Sequence, residues 1–374
     1  MRILIMVHNL TGGGAERVAT LWATGFVQRG YKVGMVLNSK RNTPATYVVP
    51  DSVKMYNLCG NEKVAWVANK LHRRLHYDYY YIRRLRNVLQ DFQPDVVIGV
   101  LQPWAEWARK ATKGMNVPII NTEHNSFERP ANALYNPMTQ KLYKLKYELN
   151  RRYAHVTVLT EADCKCLNGL LRKVSVLPNP LAFTPVDYIP KKENVILAAG
   201  RLDAWHVKGF DVLIKAWGKI AQQYPTWILQ IAGYGKDISR AYLQRIVDEN
   251  HLSKQLEFLG YQDDMLPVYQ SSSIFVLSSR YEGFGMVLIE AMSQGCAPIA
   301  CDYKGRQREI ITSNDEGVIC PVENVDMLAK AISRMIEDEN YRHMVQKNAI
   351  ERAKNYSLEK TMDRWEEIID KVKV

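Results

Sequence analysis

Within residues 279–295, Ser-Arg-Tyr-Glu-Gly-Phe-Gly-Met-Val-Leu-Ile-Glu-Ala-Met-Ser-Gln-Gly, two carboxylates stand eight positions apart. Glu282 falls in a glycine-bearing turn behind an apolar run, and Glu290 lies inside the apolar stretch 287–292. A carboxylate among apolar side chains is costly unless something hydrogen-bonds to it. Hydroxyl groups of a ligand would do so, one near the strand end and one deeper in the helix. Gly283, Phe284 and Gly285 open that helix, near 284, and its first N–H groups would face an anion. The bland alternative, two solvated surface charges, fits Glu290 poorly.

Two further segments carry charge or glycine at strand ends. Arg201 follows Gly200 directly after an apolar run, and Lys208 precedes Gly209 at the start of the next helical pattern. An Arg and a Lys at the carboxyl edge of a sheet can pair with two phosphates, the Arg bidentately. Near the start, Gly12-Gly13-Gly14-Ala15-Glu16-Arg17 joins a short apolar run to an amphipathic stretch. Such a loop lets backbone N–H groups approach a phosphate; a tight turn for packing alone is the alternative. It matches neither a G-x-G-x-x-G fingerprint nor a Walker loop, and no Asp-x-Asp occurs in the chain. His124 ends another short apolar run; a packed or surface histidine is the ordinary reading, and its place at a carboxyl edge argues for a ligand-facing role.

These residues need strands and helices to hold them. Short apolar runs at 3–7, 33–37, 53–58, 95–100, 118–122, 155–160 and 174–177 alternate with helical patterns, which predicts βαβ units and a parallel sheet. A proline-dense segment from Pro178 to Pro190 interrupts the alternation, which resumes at 194–199, 227–232, 256–259, 274–278, 298–301 and 317–320. The expected architecture is α/β, with two doubly wound domains at 1–180 and 181–356. A last helix, 357–374, is expected to pack back on the first domain. Ligands of such sheets sit beyond the carboxyl ends of the strands, so two facing domains would share a cleft. A chain of 374 residues is long enough for both.

Charge is divided unevenly. Residues 1–180 hold 26 Lys+Arg against 12 Asp+Glu, a net of +14, within a total of +11. Nucleic acid, anionic lipid and phosphorylated substrates all suit a basic half. The first apolar run is too short for a secretion signal or a membrane span, so the expected place is the cytoplasm. The six cysteines read as buried thiols, since Cys164 and Cys166 lack zinc-ligand spacing. No metal or other cofactor is expected.

Gly-Gly-Ala-Glu-Arg at 13–17, Thr-Glu-His-Asn at 122–125, Gly-Arg-Leu-Asp at 200–203 with Lys208-Gly209, and Glu-Gly-Phe-Gly with Glu282 and Glu290 together resemble the large retaining glycosyltransferase family 4. The resemblance covers essentially the whole chain, with Leu177-Pro178-Asn179 and the final helix included. It implies the GT-B fold of two Rossmann-like domains and a nucleotide-sugar substrate. Arg201 and Lys208 would then hold the donor diphosphate, with backbone N–H groups at Gly13, Gly14 and near Gly285. Glu290 would bind the ribose, Glu282 the donor sugar, and the backbone at Gly260 and Tyr261 the base; His124 would sit beside the anomeric carbon. Two departures stand out. Arg201 and Lys208 are seven apart where the family has five, and Tyr303 through Glu309 replace a common Gly-Gly-x-Pro-Glu stretch.

The similarity extends to bacterial members that elongate polyprenyl-diphosphate-linked glycans and carry a basic helix in the first domain. Residues 70–86 hold six Lys/Arg and one Asp. Lys70, Arg73, Arg74, Tyr77, Tyr81 and Arg84 are expected on one face, with Leu71, Leu75, Ile82, Leu85 and Leu89 on the core side. Cations interleaved with tyrosines suit an anionic membrane surface or a lipid diphosphate; a solvated face is the alternative. The expected activity is retaining, metal-independent transfer of a hexose or N-acetylhexosamine, from a UDP-sugar, to a lipid-diphosphate-linked glycan in polysaccharide assembly at the inner membrane face. Nucleic acid is a poorer partner, because no recognised binding module appears. A nucleotide-sugar epimerase of the same fold and a non-catalytic lipid-surface adaptor are the competing classes.

Overall fold

The computed structural model describes residues 1–39, 45–59, 79–126, 148–167, 169 and 173–373. The chain forms two compact units, Met1–Pro180 with Leu358–Val374, and Leu181–Ser357. In the first unit the strands are β1 (Arg2–Met6), β2 (Lys32–Leu37), β3 (Lys54–Asn57), β4 (Val96–Val100), β5 (Ile119–Thr122), β6 (His155–Val158) and β7 (Val174–Val176), with helices α1 (Gly14–Gln28), α2 (Tyr79–Phe92), α3 (Gln102–Ala111) and α4 (Glu161–Leu167). The sheet is seven-stranded, parallel throughout, and ordered β3-β2-β1-β4-β5-β6-β7.

The second unit has β8 (Glu193–Ala199), β9 (Ile228–Ala232), β10 (Leu256–Gly260), β11 (Ser272–Leu277), β12 (Ala297–Asp302) and β13 (Val318–Pro321). Its helices are α5 (Trp205–Lys208), α6 (Phe210–Gly218), α7 (Asp237–Glu249), α8 (Leu266–Ser271), α9 (Met286–Ser293), α10 (Val325–Glu337) and α11 (Glu339–Ala353). The six strands run parallel in the order β10-β9-β8-β11-β12-β13. Helices on both faces bury such strands, so they read as unbroken apolar runs; Ile3 through Met6 and Ile196 through Ala198 are fully buried.

In each sheet the order reverses once, between β1 and β4 and between β8 and β11. Loops leaving those strands diverge to opposite faces and open a crevice at the carboxyl edge. The last helix, α12 (Leu358–Val372), closes the first unit against α1. Gly25 permits this contact: a Cβ there would fall 2.5 Å from the Met362 sulfur. Trp22 and Trp365 meet edge-to-face at 5.0 Å, and Arg29 bridges to Glu366 at 2.6 Å.

The basic helical face needs a correction. Tyr81 is fully buried, its ring stacked on Trp107 at 4.6 Å and 9°. An apolar aromatic body gains more in the α2–α3 contact than on a wet face, and burial pushes the phenol up to about 12. Arg84 is half-buried and donates to the Asn57 carbonyl at 3.2 Å. Leu85 and Leu89 face the core as expected, and Ile82 packs at its margin. Lys70, Arg73, Arg74 and Tyr77, with Leu71 and Leu75, lie outside the described residues. Among those described, no helix is long and apolar enough to cross a membrane.

Candidate functional site

In the second unit the carboxyl edge gathers the expected charges. Arg201 follows β8 and Gly200; its side chain is exposed and forms no hydrogen bond or ion pair among the described residues. Lys208 ends α5, and its Nζ donates to Glu282 Oε2 at 2.8 Å across the switch point. The Ser279 hydroxyl donates to the same oxygen at 3.2 Å. The lysine stem runs along Gly200, where a Cβ would lie 3.3 Å from three of its carbons. Trp205, His206 and Val207, which stretch the Arg–Lys spacing, form the single turn of α5. That turn delivers the ammonium to the loop behind β11.

Arg280 welds the two loops together. Its Nη1 and Nη2 each donate to Asp211 at 2.7 Å, its Nη1 also to the His206 carbonyl at 2.8 Å, and its Nε to Glu323 at 2.6 Å. Hydrogen bonds to Asp211 raise the guanidinium above its ordinary value. The Arg280 N–H reaches the Val207 carbonyl at 2.8 Å, and the Ser278 hydroxyl reaches the Lys208 carbonyl at 2.8 Å. None of these contacts is visible from sequence spacing, since the partners lie far apart along the chain.

Gly285 caps α9 at φ 98°, a left-handed value that suits glycine, and Gly283 and Phe284 are buried beside it. Helix α9 begins at Met286, two residues later than expected. Glu290 is 3 % exposed and accepts from the Tyr269 hydroxyl at 3.1 Å. Tyr269, itself fully buried between Phe183 and Phe275, is a positioning residue the sequence did not reveal. Gly260 and the exposed Tyr261 end β10; the Gly260 carbonyl accepts from Gly233, whose own Cβ position lies 1.8 Å from the Gly200 carbonyl. Thus the ends of β8, β9 and β10 are drawn together.

In the first unit, Gly13 is the extended N-cap of α1. A Cβ on it would fall 1.8 Å from the Glu16 Oε2, so that carboxylate already folds over the Gly13-Gly14 turn. His124 follows β5, half-buried, with Nε2 3.0 Å from the Thr122 hydroxyl and its ring 5.5 Å from that of Trp22. Desolvation pushes its imidazole down to about 4, and a contact with the Asn179 amide opposes this more weakly. Residues on either side hold its loop. Glu123 accepts from Asn121 at 3.0 Å and Asn150 at 3.1 Å, and the Ser126 hydroxyl donates to Asp163 at 3.2 Å.

Residues 12–182 match the domain described as Glycosyltransferase Family 4, and residues 184–352 match Glycosyl transferases group 1. The chain belongs to the family 4 glycosyltransferases. It is 27 % identical to an uncharacterized glycosyltransferase of Haemophilus influenzae, over 98 % of this chain and 99 % of that one. A Campylobacter jejuni protein, named an α-1,4-N-acetyl-D-galactosaminyltransferase acting on a diNAcBac-PP-undecaprenol-linked glycan, is 24 % identical over 100 % of this chain and 99 % of its own. Among solved structures, Anabaena HepE in complex with UDP and glucose superposes with a TM-score of 0.77 at 17 % identity, covering 98 % and 99 % of the two chains. The GT-B architecture of two Rossmann-like units is therefore that of this glycosyltransferase.

The depressed His124 has a consequence for the glycosyltransferase that can be measured. His155, buried and 2.9 Å from the Ser175 hydroxyl, is likewise held at about 4, by desolvation first and then by Lys371 and Lys173. Both rings stay neutral in the fold but take up protons near pH 6.5 once unfolded. Below pH 6.5 the unfolded chain binds more protons, so stability falls as pH drops from 6.5 towards 4 and is complete above 6.5. Denaturant melts between pH 7.5 and 4.5 should show that slope in the wild type and a shallower one in His155→Gln. An equal slope in both would remove the assignment.

Proposed function

We propose that this glycosyltransferase moves a hexose or N-acetylhexosamine from a UDP-sugar to a lipid-diphosphate-linked glycan, with retention at the anomeric carbon and without a metal ion. The gathering of Arg201, Lys208 and Glu282 at one carboxyl edge, with Glu290 buried inside the helix that leaves it, carries this reading. The first two suit a diphosphate, Glu282 a sugar hydroxyl, and Glu290, steadied by Tyr269, a ribose. The UDP and glucose held by HepE and the undecaprenyl-diphosphate glycan named for the Campylobacter relative support the substrate classes.

In the proposed reaction the acceptor hydroxyl oxygen bonds to the anomeric carbon on the face from which UDP departs. The bond from that carbon to the β-phosphate oxygen breaks with its electron pair, and the acceptor proton passes to the phosphate. Arg201 and Lys208 meet the negative charge that grows on the leaving group. A neutral His124 is suited to hydrogen-bonding the sugar rather than to bearing charge. The +14 of residues 1–180, with Lys70, Arg73 and Arg74, suits a peripheral place on an anionic cytoplasmic membrane face.

Labelled UDP-sugars incubated with and without a polyprenyl-diphosphate glycan test the reading directly. An α-linked product from an α-linked donor, by NMR, with activity undiminished by EDTA, is the expected result. A β-linked product, a strict need for divalent metal, or free epimerised sugar with no transfer would each overturn it.

A further inference from the structure

Resting on that donor-site reading, we propose that the Lys208–Glu282 ion pair distinguishes a sugar-bearing nucleoside diphosphate from the bare nucleoside diphosphate, and thereby favours release of the spent donor. The two side chains are 22 % and 16 % exposed, so each is largely committed to the other. The lysine stem is laid along Gly200, the residue before Arg201, and on the donor-site reading both cations serve the same diphosphate. The ammonium has three N–H donors, one of them on Glu282, and each donor turned to a diphosphate weakens its hold on that carboxylate.

A bare diphosphate that draws Lys208 away leaves Glu282 as a half-buried carboxylate with Ser279 as its remaining donor. Separating a shielded pair in this way is costly, because the abandoned charge keeps its desolvation. A donor that also carries a sugar supplies hydroxyl protons to Glu282 in place of the ammonium. The complete donor therefore satisfies both members of the pair, and the nucleoside diphosphate satisfies one. Once the sugar has left, Glu282 takes Lys208 back and the diphosphate loses a cation. Arg280 holds the backbones of both loops through the Val207 and His206 carbonyls, so the exchange is one of side chains and not of loops.

Titrating UDP, GDP, ADP and dTDP into the wild type, Glu282→Gln, Lys208→Ala, the double variant and Arg201→Ala tests the proposal. Glu282→Gln, nearly isosteric, should bind the preferred nucleoside diphosphate about fivefold to tenfold more tightly, the scale of one hydrogen bond's net contribution. The same substitution should raise the donor's KM and lower kcat. In the Lys208→Ala background it should change nucleoside diphosphate affinity by less than about twofold, since the coupled partner is gone. Tightening that survives in that background would reveal plain charge repulsion and overturn the exchange. Weaker or unchanged binding to Glu282→Gln, while Arg201→Ala still loses affinity, would overturn it and leave the donor site standing. Absence of nucleoside diphosphate binding in the wild type would remove both. Thermal melts of each variant separate these outcomes from misfolding.

Discussion

Arg201→Ala should lower turnover by about 10²-fold or more while leaving the protein's thermal stability unchanged within error. The two halves of that expectation have separate physical grounds. The Arg201 side chain is exposed and makes no hydrogen bond or ion pair among the described residues, so its removal leaves no orphaned partner and no cavity; surface changes of this kind alter stability by about 0.5 kcal/mol or less. The proposed use of that cation is a phosphate whose charge increases as the glycosidic bond breaks. A lost interaction that strengthens toward the transition state lowers kcat as well as kcat/KM. Lys208→Ala is a less clean probe, because it also strips Glu282 of its ion pair. Arg201→Lys keeps the charge but not the bidentate fork, and should recover part of the loss. Turnover of Arg201→Ala near the wild-type value would take the diphosphate away from Arg201.

How much of this could be read from the chain differs by element. Each strand of both sheets coincides, within about two residues, with one of the expected runs, and in the central strands β1 and β4 burial on both faces leaves almost no polar position to break it. Glu290 was legible for the same reason in reverse: it is a carboxylate where the pattern demands an apolar residue. Tyr81 misled because helical spacing sorts tyrosine with the polar residues, and only the position of Trp107 shows which side is dry. The weld through Arg280 was not legible at all. Its carboxylate partners, Asp211 and Glu323, are 69 and 43 residues away, and nothing in local propensity selects them. Lys208 shows the remaining limit. Its seven-residue spacing from Arg201 is odd as a motif, and becomes intelligible once 205–208 is seen as one added helical turn.

That turn depends on Gly209, and Gly209→Ala should destabilise the second unit by about 3 kcal/mol. The residue adopts φ 65°, ψ 26°, the left-handed conformation that ends α5 and begins α6. An alanine pays for that geometry with about 1–2 kcal/mol by itself. Its Cβ would also stand 2.0 Å from the Ser278 carbonyl oxygen, which is backbone at the end of β11 and cannot swing aside as a side chain would. Relief requires the 206–209 segment to lift from 278–280, where it is held by Arg280 and by the Ser278 hydroxyl. For a unit of this size the melting temperature should drop by about 6–12 °C. The displaced Lys208 should weaken nucleoside diphosphate binding in the same variant. Lys215→Ala, on the exposed side of α6, should leave both measurements unchanged. If Gly209→Ala melts with the wild type and still binds the nucleotide as tightly, the close approach of these two loops does not hold Lys208 in place.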